Sequence, residues 1–442
     1  MQETQISQSN KRHVFKPLFI CFVLIYALLL PPSLSAMASA DSALTLKQAI
    51  EQAFVHHPSL KAFGFREKYT VALAQGEQQA PPLTLSLDVE NFIGTGEFER
   101  FNGAEFSLAL SSVLELGGKR QARAAGFSAR RDKLAAEREL KALDLSAEVT
   151  RAYIEVVVAQ EVLDLANDSL QLTDEVLASV FERVRAGASP DIEVFRAQAA
   201  QAQAQLARMQ QKDRLQRARM GLSLLWGDVR PQFYRVGGSL FNGVKEGDFD
   251  ELYARAISNP TMQRLVKEGR FRQAEIRLAR TAARTDISWS MGLRHFGESD
   301  DRALLASLSV PLGGARQNRF KLQAAQAAFD EVAIERKFAQ LKLYARLYET
   351  FHQRKTAIEA VSLLQVAVIP KLEKVQHETR DAYERGRYSY REWVAAEQEL
   401  LVAKQALIRA AAAVHIYHAE IEQLTAEPLF DNAAENIKRS HP

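Results

Sequence analysis

The residues most suggestive of chemistry are two glycine pairs, each followed by basic residues. Residues 114–126 read "LELGGKRQARAAG" and include Gly117 and Gly118, while "VPLGGARQNRFKLQAA" at 310–325 includes Gly313 and Gly314. A glycine-rich loop before a helix can bind phosphate. However, neither copy has the G-x-x-x-x-G-K-[ST] spacing of a nucleotide-binding loop. Because glycine lets the backbone turn sharply, we predict that both pairs turn a strand into a helix.

The chain contains few residues in spacings that suit catalysis or metal binding. Of nine histidines, only His415 and His418 have same-face helical spacing, and neither H-E-x-x-H nor G-x-S-x-G occurs. The pair is expected to lie on a helix surface. The segment His57-Pro58 is more typical of a helix end than of a metal site, because Asn259-Pro260 occupies the corresponding place later in the chain. We predict no enzyme activity, no metal site and no cofactor.

The N-terminus has the pattern of an export signal. Basic residues precede an apolar run at 17–30, and the small residues "AMASA" follow. This order predicts a signal peptide at 1–38, with cleavage after Ala38 or Ala40. We expect no later segment to be apolar enough to cross a membrane as a helix, so any membrane insertion should use strands. The net charge of +3 argues against a nucleic-acid footprint.

The exported chain reads as two similar halves, 39–247 and 248–425, followed by a tail at 426–442. The glycine pairs lie about 200 residues apart, and so do Gly187 in "ERVRAGASPDIEVFRAQ" and Gly386 in "YERGRYSYREWVAAEQ". Matched landmarks in the same order indicate a structural repeat.

Alternation of apolar and polar residues predicts two strands in each half. The expected ranges are 82–92 and 103–114 in the first half, and 286–296 and 303–311 in the second. These lengths suit tilted membrane strands of about 9–11 residues.

The remaining sequence predicts unusually long helices. Long helices are expected at 118–186 and 315–385, with Pro370 kinking the second or marking an inserted residue, and further helices at 191–225 and 390–425. The alanine- and glutamine-rich run at 196–211 is expected to be a tightly packed helix. The predicted fold class is therefore mainly α with a small membrane β-sheet.

The order of these landmarks resembles the TolC-type outer-membrane efflux proteins over about 43–425. Its specific parts are the repeated helix–strand–strand–helix plan, [NH]-P after the first helix of each half, and the glycine turns. The segment "ELGGKRQAR" is most similar to the CzcC-like heavy-metal efflux subgroup. The resemblance implies a trimer in the outer membrane that shares a twelve-stranded barrel, with a helical tunnel in the periplasm. It also implies a periplasmic adaptor and an inner-membrane pump as partners.

Two other functions remain open at this point. The chain could be a periplasmic coiled-coil adaptor or structural protein, or it could be the exit duct of a type I protein secretion system. The cargo of an efflux duct could be a metal or a drug, because a duct need not bind its substrate tightly.

The resemblance also assigns roles to residues near the two helix turns farthest from the strands. It implies a periplasmic gate that uses Glu193, Glu392 and Tyr383, and Arg387 and Arg391 are close enough in sequence to pair with the acids. The adaptor is expected to dock on both turns, which comprise Gly187, Ala188, Ser189 and Pro190 in the first half and Gly386, Arg387, Tyr388 and Ser389 in the second.

Overall fold

The computed structural model describes residues 43–99, 101, 103–241, 247–312 and 314–426. The expected signal peptide and residues 427–442 of the expected tail lie outside the described residues. The elements, in chain order, are α1 (Leu46–His56), α2 (Pro58–Glu77), β1 (Thr84–Glu90), β2 (Glu105–Leu114), α3 (Lys119–Arg185), α4 (Ile192–Leu224), α5 (Phe249–Ala256), α6 (Pro260–Ala282), β3 (Ile287–Phe296), β4 (Arg302–Ser309), α7 (Gly314–Leu363), α8 (Ile369–Glu384) and α9 (Tyr390–Thr425). The predicted fold class, mainly α with a small sheet, is confirmed.

The four strands form one antiparallel sheet in the order β1-β2-β3-β4. Its register places residues of the same character side by side. Leu85 pairs with Leu110, Leu110 with Met291, and Met291 with Ala306. Because successive side chains of a strand point to opposite faces, this register collects most of the alternating apolar residues of the four strands on one face and most of the serines on the other.

The long helices follow from runs that lack helix-breaking residues. Helix α3 has 67 residues, a length of about 100 Å at 1.5 Å per residue. Helices α7 and α8 are joined by a π-helical turn at Leu364–Val368, and the Ile369 N–H donates to the Leu364 carbonyl. This wider turn accommodates one extra residue immediately before Pro370, which cannot donate a backbone hydrogen bond. The structure therefore has the inserted residue that the sequence offered as one of two alternatives.

The [NH]-P pairs begin the second helix of each half. Nδ1 of His57 accepts a hydrogen bond from the Ser59 N–H, and Pro58 is the first residue of α2. The side chain of Asn259 accepts from the Met262 N–H, and Pro260 is the first residue of α6. Both side chains satisfy a backbone donor that a helix start leaves free, and proline suits the first helical position.

The last helix corrects one expectation about membrane spans. By length and composition alone, α9 could cross a membrane, with a mean hydropathy of 1.3 in its most apolar 18-residue window. Its alanine-rich faces pack against α3, α7 and α8, however, and several of its residues belong to the cores of the helical part. The apolar character of α9 is therefore explained at least in part by helix packing.

Candidate functional site: the helix turns, the sheet and the junction between them

The two turns farthest from the sheet have the same backbone geometry. At the first, the Ala188 N–H donates to the Arg183 carbonyl and the Gly187 N–H to the Val184 carbonyl. At the second, the Arg387 N–H donates to the Ala382 carbonyl and the Gly386 N–H to the Tyr383 carbonyl. This is the Schellman arrangement, in which the residue after the helix takes a positive φ. Gly187 has φ 72° and Gly386 has φ 74°, a conformation that strongly favours glycine.

A contact between the halves joins two of the predicted gate residues directly. The hydroxyl of Tyr383 donates to a carboxylate oxygen of Glu193 at 3.1 Å. The Tyr383 side chain is 2% exposed and packs on the ring of Trp393, with ring centroids 5.1 Å apart. Burial raises the pKa of Tyr383 above its ordinary value, and the charge of Glu193 acts in the same direction. The hydroxyl is therefore a stable hydrogen-bond donor at neutral pH.

Arg183 connects both turns and was missed by the sequence reasoning. Its Nη1 donates to the Glu384 carbonyl at 2.8 Å, and its Nε donates to the Ser189 hydroxyl at 3.3 Å. Its guanidinium carbon also lies 4.7 Å from the centre of the Tyr383 ring, within the range of a cation–π contact. One side chain therefore holds the first turn, the second turn and the buried tyrosine together.

The other predicted gate residues occupy different positions. Glu392 accepts from the Ser389 N–H at 2.8 Å and from the Ser389 hydroxyl at 2.9 Å, and Ser389 in turn caps the Glu392 N–H. This is a capping box at the start of α9, and its hydrogen bonds lower the pKa of Glu392. Arg387 and Arg391 are exposed, and within the described part of the chain no hydrogen bond or ion pair joins either to Glu193 or Glu392. Glu193 and Glu392 are thus not equivalent here, and the gate role of the set stays a prediction.

The sheet has one strongly apolar face that the described residues leave exposed. Its most exposed side chains include Leu85, Met291, Leu304 and Leu308, with Leu304 85% exposed. Soluble proteins rarely expose a contiguous apolar patch of this kind. Because the backbone groups of the inner strands are paired, such a face suits contact with lipid.

The opposite face of the sheet is polar and carries a charge network that the sequence did not reveal. Nε of Arg294 donates to the Ser107 hydroxyl at 2.8 Å and Nη1 donates to Glu105 at 2.9 Å, while Nη2 lies 3.1 Å from a carboxylate oxygen of Glu90. The network ties three strands together at the end of the sheet that is remote from the helices. The alternating pattern fixed the face of each residue, but the pairing depended on the register.

The strand-to-helix junction explains the basic residues that follow the first glycine pair. Lys119 Nζ lies 2.7 Å from Asp286, which also accepts from the Leu116 N–H at 3.1 Å. Arg123 donates from both Nη atoms to Glu115, each at 2.7 Å. The hydrogen bond from Arg123 lowers the pKa of Glu115. Burial opposes ionisation of Asp286, but its bonds to Lys119 and Leu116 outweigh burial and lower its pKa.

Both residues of this glycine pair have a positive φ, 77° for Gly117 and 75° for Gly118. A side chain at Gly117 would also overlap that of Arg284. The first pair is therefore a turn, and its basic neighbours bind protein groups. Gly313 lies outside the described residues, and Gly314 is the first residue of α7.

The histidine pair is not a plain surface pair, which corrects the expectation. Both side chains are partly buried. Nε2 of His415 donates to the Leu240 carbonyl at 3.0 Å, and burial lowers the pKa of His415. Nδ1 of His418 lies 3.3 Å from an Arg354 nitrogen, and Nε2 lies 3.3 Å from Glu422. The two rings serve separate contacts. Among residues that the structure describes, no group of three or more His, Cys, Asp or Glu side chains is placed to hold a metal ion.

Comparison with known proteins places this architecture in a class. Residues 49–228 match the family described as outer membrane efflux protein. The fold described above is that of outer-membrane efflux channels, which lie in the outer membrane with their helical part in the periplasm. The chain thus has the architecture of a transport duct, and proteins of the matched family are ducts and not enzymes. The resemblance to the TolC-type proteins is thus confirmed.

Particular relatives refine this assignment. The chain is 26% identical over 294 residues to the cobalt-zinc-cadmium resistance protein CzcC of Cupriavidus metallidurans, a match that covers 66% of this chain and 70% of CzcC. The similarity to the heavy-metal efflux subgroup is therefore confirmed.

Solved structures show the same fold at lower identity. The outer-membrane channel OprN matches with a TM-score of 0.72 at 20% identity, covering 87% of this chain and 90% of OprN. CusC matches with a TM-score of 0.73 at 17% identity, covering 86% and 91%. Campylobacter jejuni CmeC, an outer membrane channel, matches with a TM-score of 0.71 at 16% identity, covering 89% and 88%.

Proposed function

We propose that this chain is the exit duct of a tripartite efflux system that exports heavy-metal cations. The observation that supports the assignment as a membrane duct is the four-stranded sheet, which has an exposed apolar face on one side and a polar face on the other. The similarity to a cobalt-zinc-cadmium resistance protein supports metal as the cargo. A periplasmic adaptor or structural coiled coil would not need a sheet of this kind. The cargo test is growth of a deletion strain on a panel of metals and drugs, and sensitivity to drugs alone would reject the metal assignment.

A trimer is part of the proposal. Strands β1 and β4 are the sheet edges within the described chain, and an unpaired edge in lipid costs several kcal/mol for each unsatisfied backbone group. A closed membrane barrel also needs about eight strands or more. Several chains must therefore share one sheet, and the family resemblance implies three. Heat-modifiable migration of the purified protein should reveal the trimer, and a folded monomer inserted in membranes would contradict it.

The two glycine turns are proposed as the docking surface for a periplasmic adaptor. They are the points farthest from the sheet along the long helices, and Ala188 and Arg387 are exposed there on matching backbone geometry. Cysteine at Ala188 or at Arg387 should cross-link to the adaptor in cells. Cysteine at Glu298, in the exposed β3–β4 turn at the opposite end of the sheet, is the matched control. The docking role would be rejected if neither turn cross-linked, or if Glu298→Cys cross-linked equally well.

The contact between Tyr383 and Glu193 is proposed to hold the periplasmic gate closed. It joins the helices of the two halves next to the turns, and Arg183 adds three contacts at the same place. In a trimer, each inward acid would form a ring of three charges that attracts cations. Glu392 remains a candidate for this ring, although the capping box already engages its carboxylate. Arg387 and Arg391 are proposed as basic partners of the acids in the closed gate.

A further inference from the structure

A cavity of about 310 Å³ lies between α3, α4 and α9, a short distance from the two turns. The α4 wall consists largely of four alanines at helical spacing: Ala197, Ala200, Ala204 and Ala207. They belong to the run that the sequence predicted to be tightly packed. On this face the run leaves space instead, because alanine has no atoms beyond Cβ to fill the gap. The cavity is partly open to solvent and its wall is mainly apolar, which are features that it shares with sites for small molecules.

One residue of the cavity wall, Tyr390, has a hydroxyl without a hydrogen-bond partner among the described residues. The Tyr390 side chain is 4% exposed, and its hydroxyl is buried without a hydrogen bond in the part of the chain that the structure describes. Leaving a buried hydroxyl without a hydrogen bond costs about 1–3 kcal/mol. The unpartnered hydroxyl therefore suggests that a hydrogen-bonding group outside the described residues completes it. Burial, assisted by the charge of Glu193, raises the pKa of Tyr390. The hydroxyl therefore remains protonated and can donate.

The charged groups on the wall are mostly engaged elsewhere. Glu397 accepts from the Gln376 amide at 2.7 Å and from the Trp393 indole at 3.0 Å. Lys404 lies 3.5 Å from Glu373. Asp168 is exposed at the rim, where water can solvate it. The rest of the wall is mainly apolar, with leucines and valines from α3 and α9, and its other polar residues are uncharged: Ser169, Thr173, Gln203 and Gln398. The interior therefore favours an uncharged occupant.

We propose that this cavity binds a small uncharged organic molecule that has an apolar body and one hydrogen-bond acceptor, which the Tyr390 hydroxyl contacts. The volume is at the lower end of the range for small-molecule sites, about 300–1,000 Å³. Exposed residues at the rim leave a route of entry. The site lies inside the helical part of one chain, so the proposal is independent of the cargo and of the adaptor.

Benzophenone is a suitable probe, because it has two apolar rings and one carbonyl acceptor and forms covalent adducts under ultraviolet light. The full-length protein in lipid nanodiscs is irradiated with increasing benzophenone, and the labelled peptides are identified by mass spectrometry. We expect saturable labelling within 165–176, 197–207 and 390–404. Labelling that does not saturate, or that spreads over the exposed apolar side chains of the sheet and helices, would overturn the proposal.

Two variants and a control separate binding from nonspecific adsorption. Ala204→Leu fills the cavity and should reduce saturable labelling at least tenfold, whereas Ala202→Leu, on the same helix but outside the cavity wall, should label like wild type. Tyr390→Phe keeps the ring and removes only the donor. It should raise the half-saturating concentration about fivefold, the value of one hydrogen bond. Equal labelling of Ala204→Leu and Ala202→Leu would reject the site, and an unchanged midpoint in Tyr390→Phe would reject the role of the hydroxyl.

Discussion

Replacement of Tyr383 by phenylalanine tests the proposed latch with the smallest possible change. The substitution keeps the buried ring, its packing on Trp393 and the cation–π contact of Arg183, and it removes only the hydroxyl that donates to Glu193 at 3.1 Å. A hydrogen bond to a charged group contributes about 1.5–3 kcal/mol. Since Glu193 is partly exposed, we use the lower value. A loss of about 1.5 kcal/mol lowers the closed-to-open ratio roughly tenfold for each chain.

The assay is single-channel recording of the purified protein in a planar bilayer. Tyr383→Phe should raise the open fraction, and Glu193→Gln should act in the same direction because it weakens the same bond. Tyr388→Phe is the matched control, since Tyr388 is exposed in the same turn and its side chain should not affect closure. If Tyr383→Phe shows the open fraction of wild type, or if Tyr388→Phe raises it as much, the contact is not a latch.

Three further substitutions test the sheet, the junction and the buried histidine. Met291→Arg, on the apolar face at the middle of β3, should lower folding stability in the membrane by about 2–4 kcal/mol. Ser290→Arg, on the polar face, is the control and should be tolerated. Equal effects of the two substitutions would contradict the assignment of the faces. Glu115→Gln breaks the bidentate charged pair with Arg123 and should lower the free energy of unfolding by about 1.5 kcal/mol, measured as a lower apparent Tm. Glu77→Gln should lower it less, because the pair of Glu77 with Arg123 is longer and more exposed. Burial lowers the pKa of His415 below its ordinary value of 6.5, so the folded state binds fewer protons than the unfolded state as pH falls below that value. Stability should therefore be highest above pH 6.5 and decline below it, and His415→Gln should flatten this part of the profile; an unchanged profile would refute the assignment.

The sequence predicted the elements well where one local signal dominated. Helix α3 occupies Lys119–Arg185 within the predicted 118–186, because that stretch contains no proline and ends at a glycine with a positive φ. Helix α9 has the predicted bounds because local features also set its two ends. Ser389 caps its first turn, and Ala426, which follows Thr425, has a left-handed backbone conformation. The strands are slightly shorter than predicted, since alternation continues past the last paired residues.

The site was less predictable, because its contacts join residues far apart in the chain. Arg183 and Tyr383 are 200 positions apart, and no local sequence pattern predicts the cation–π contact between them. Glu392 is different: Ser389 and Glu392 have the S-x-x-E spacing of a capping box, so its role at the start of α9 could have been predicted. The cavity beside α4 was not predictable from the alanine run, because alanines allow either close packing or empty space, and the neighbouring helices decide which occurs.

The most direct test of the central claim is the cellular metal content of a deletion strain. Cells loaded with cobalt, zinc or cadmium are transferred to metal-free medium, and retained metal is followed by mass spectrometry. A strain that lacks this chain should retain at least one of these metals for longer than wild type, and the plasmid-borne gene should restore release. Identical release from the deletion and wild-type strains for all three metals, with pump and adaptor present, would contradict the proposed metal exit duct.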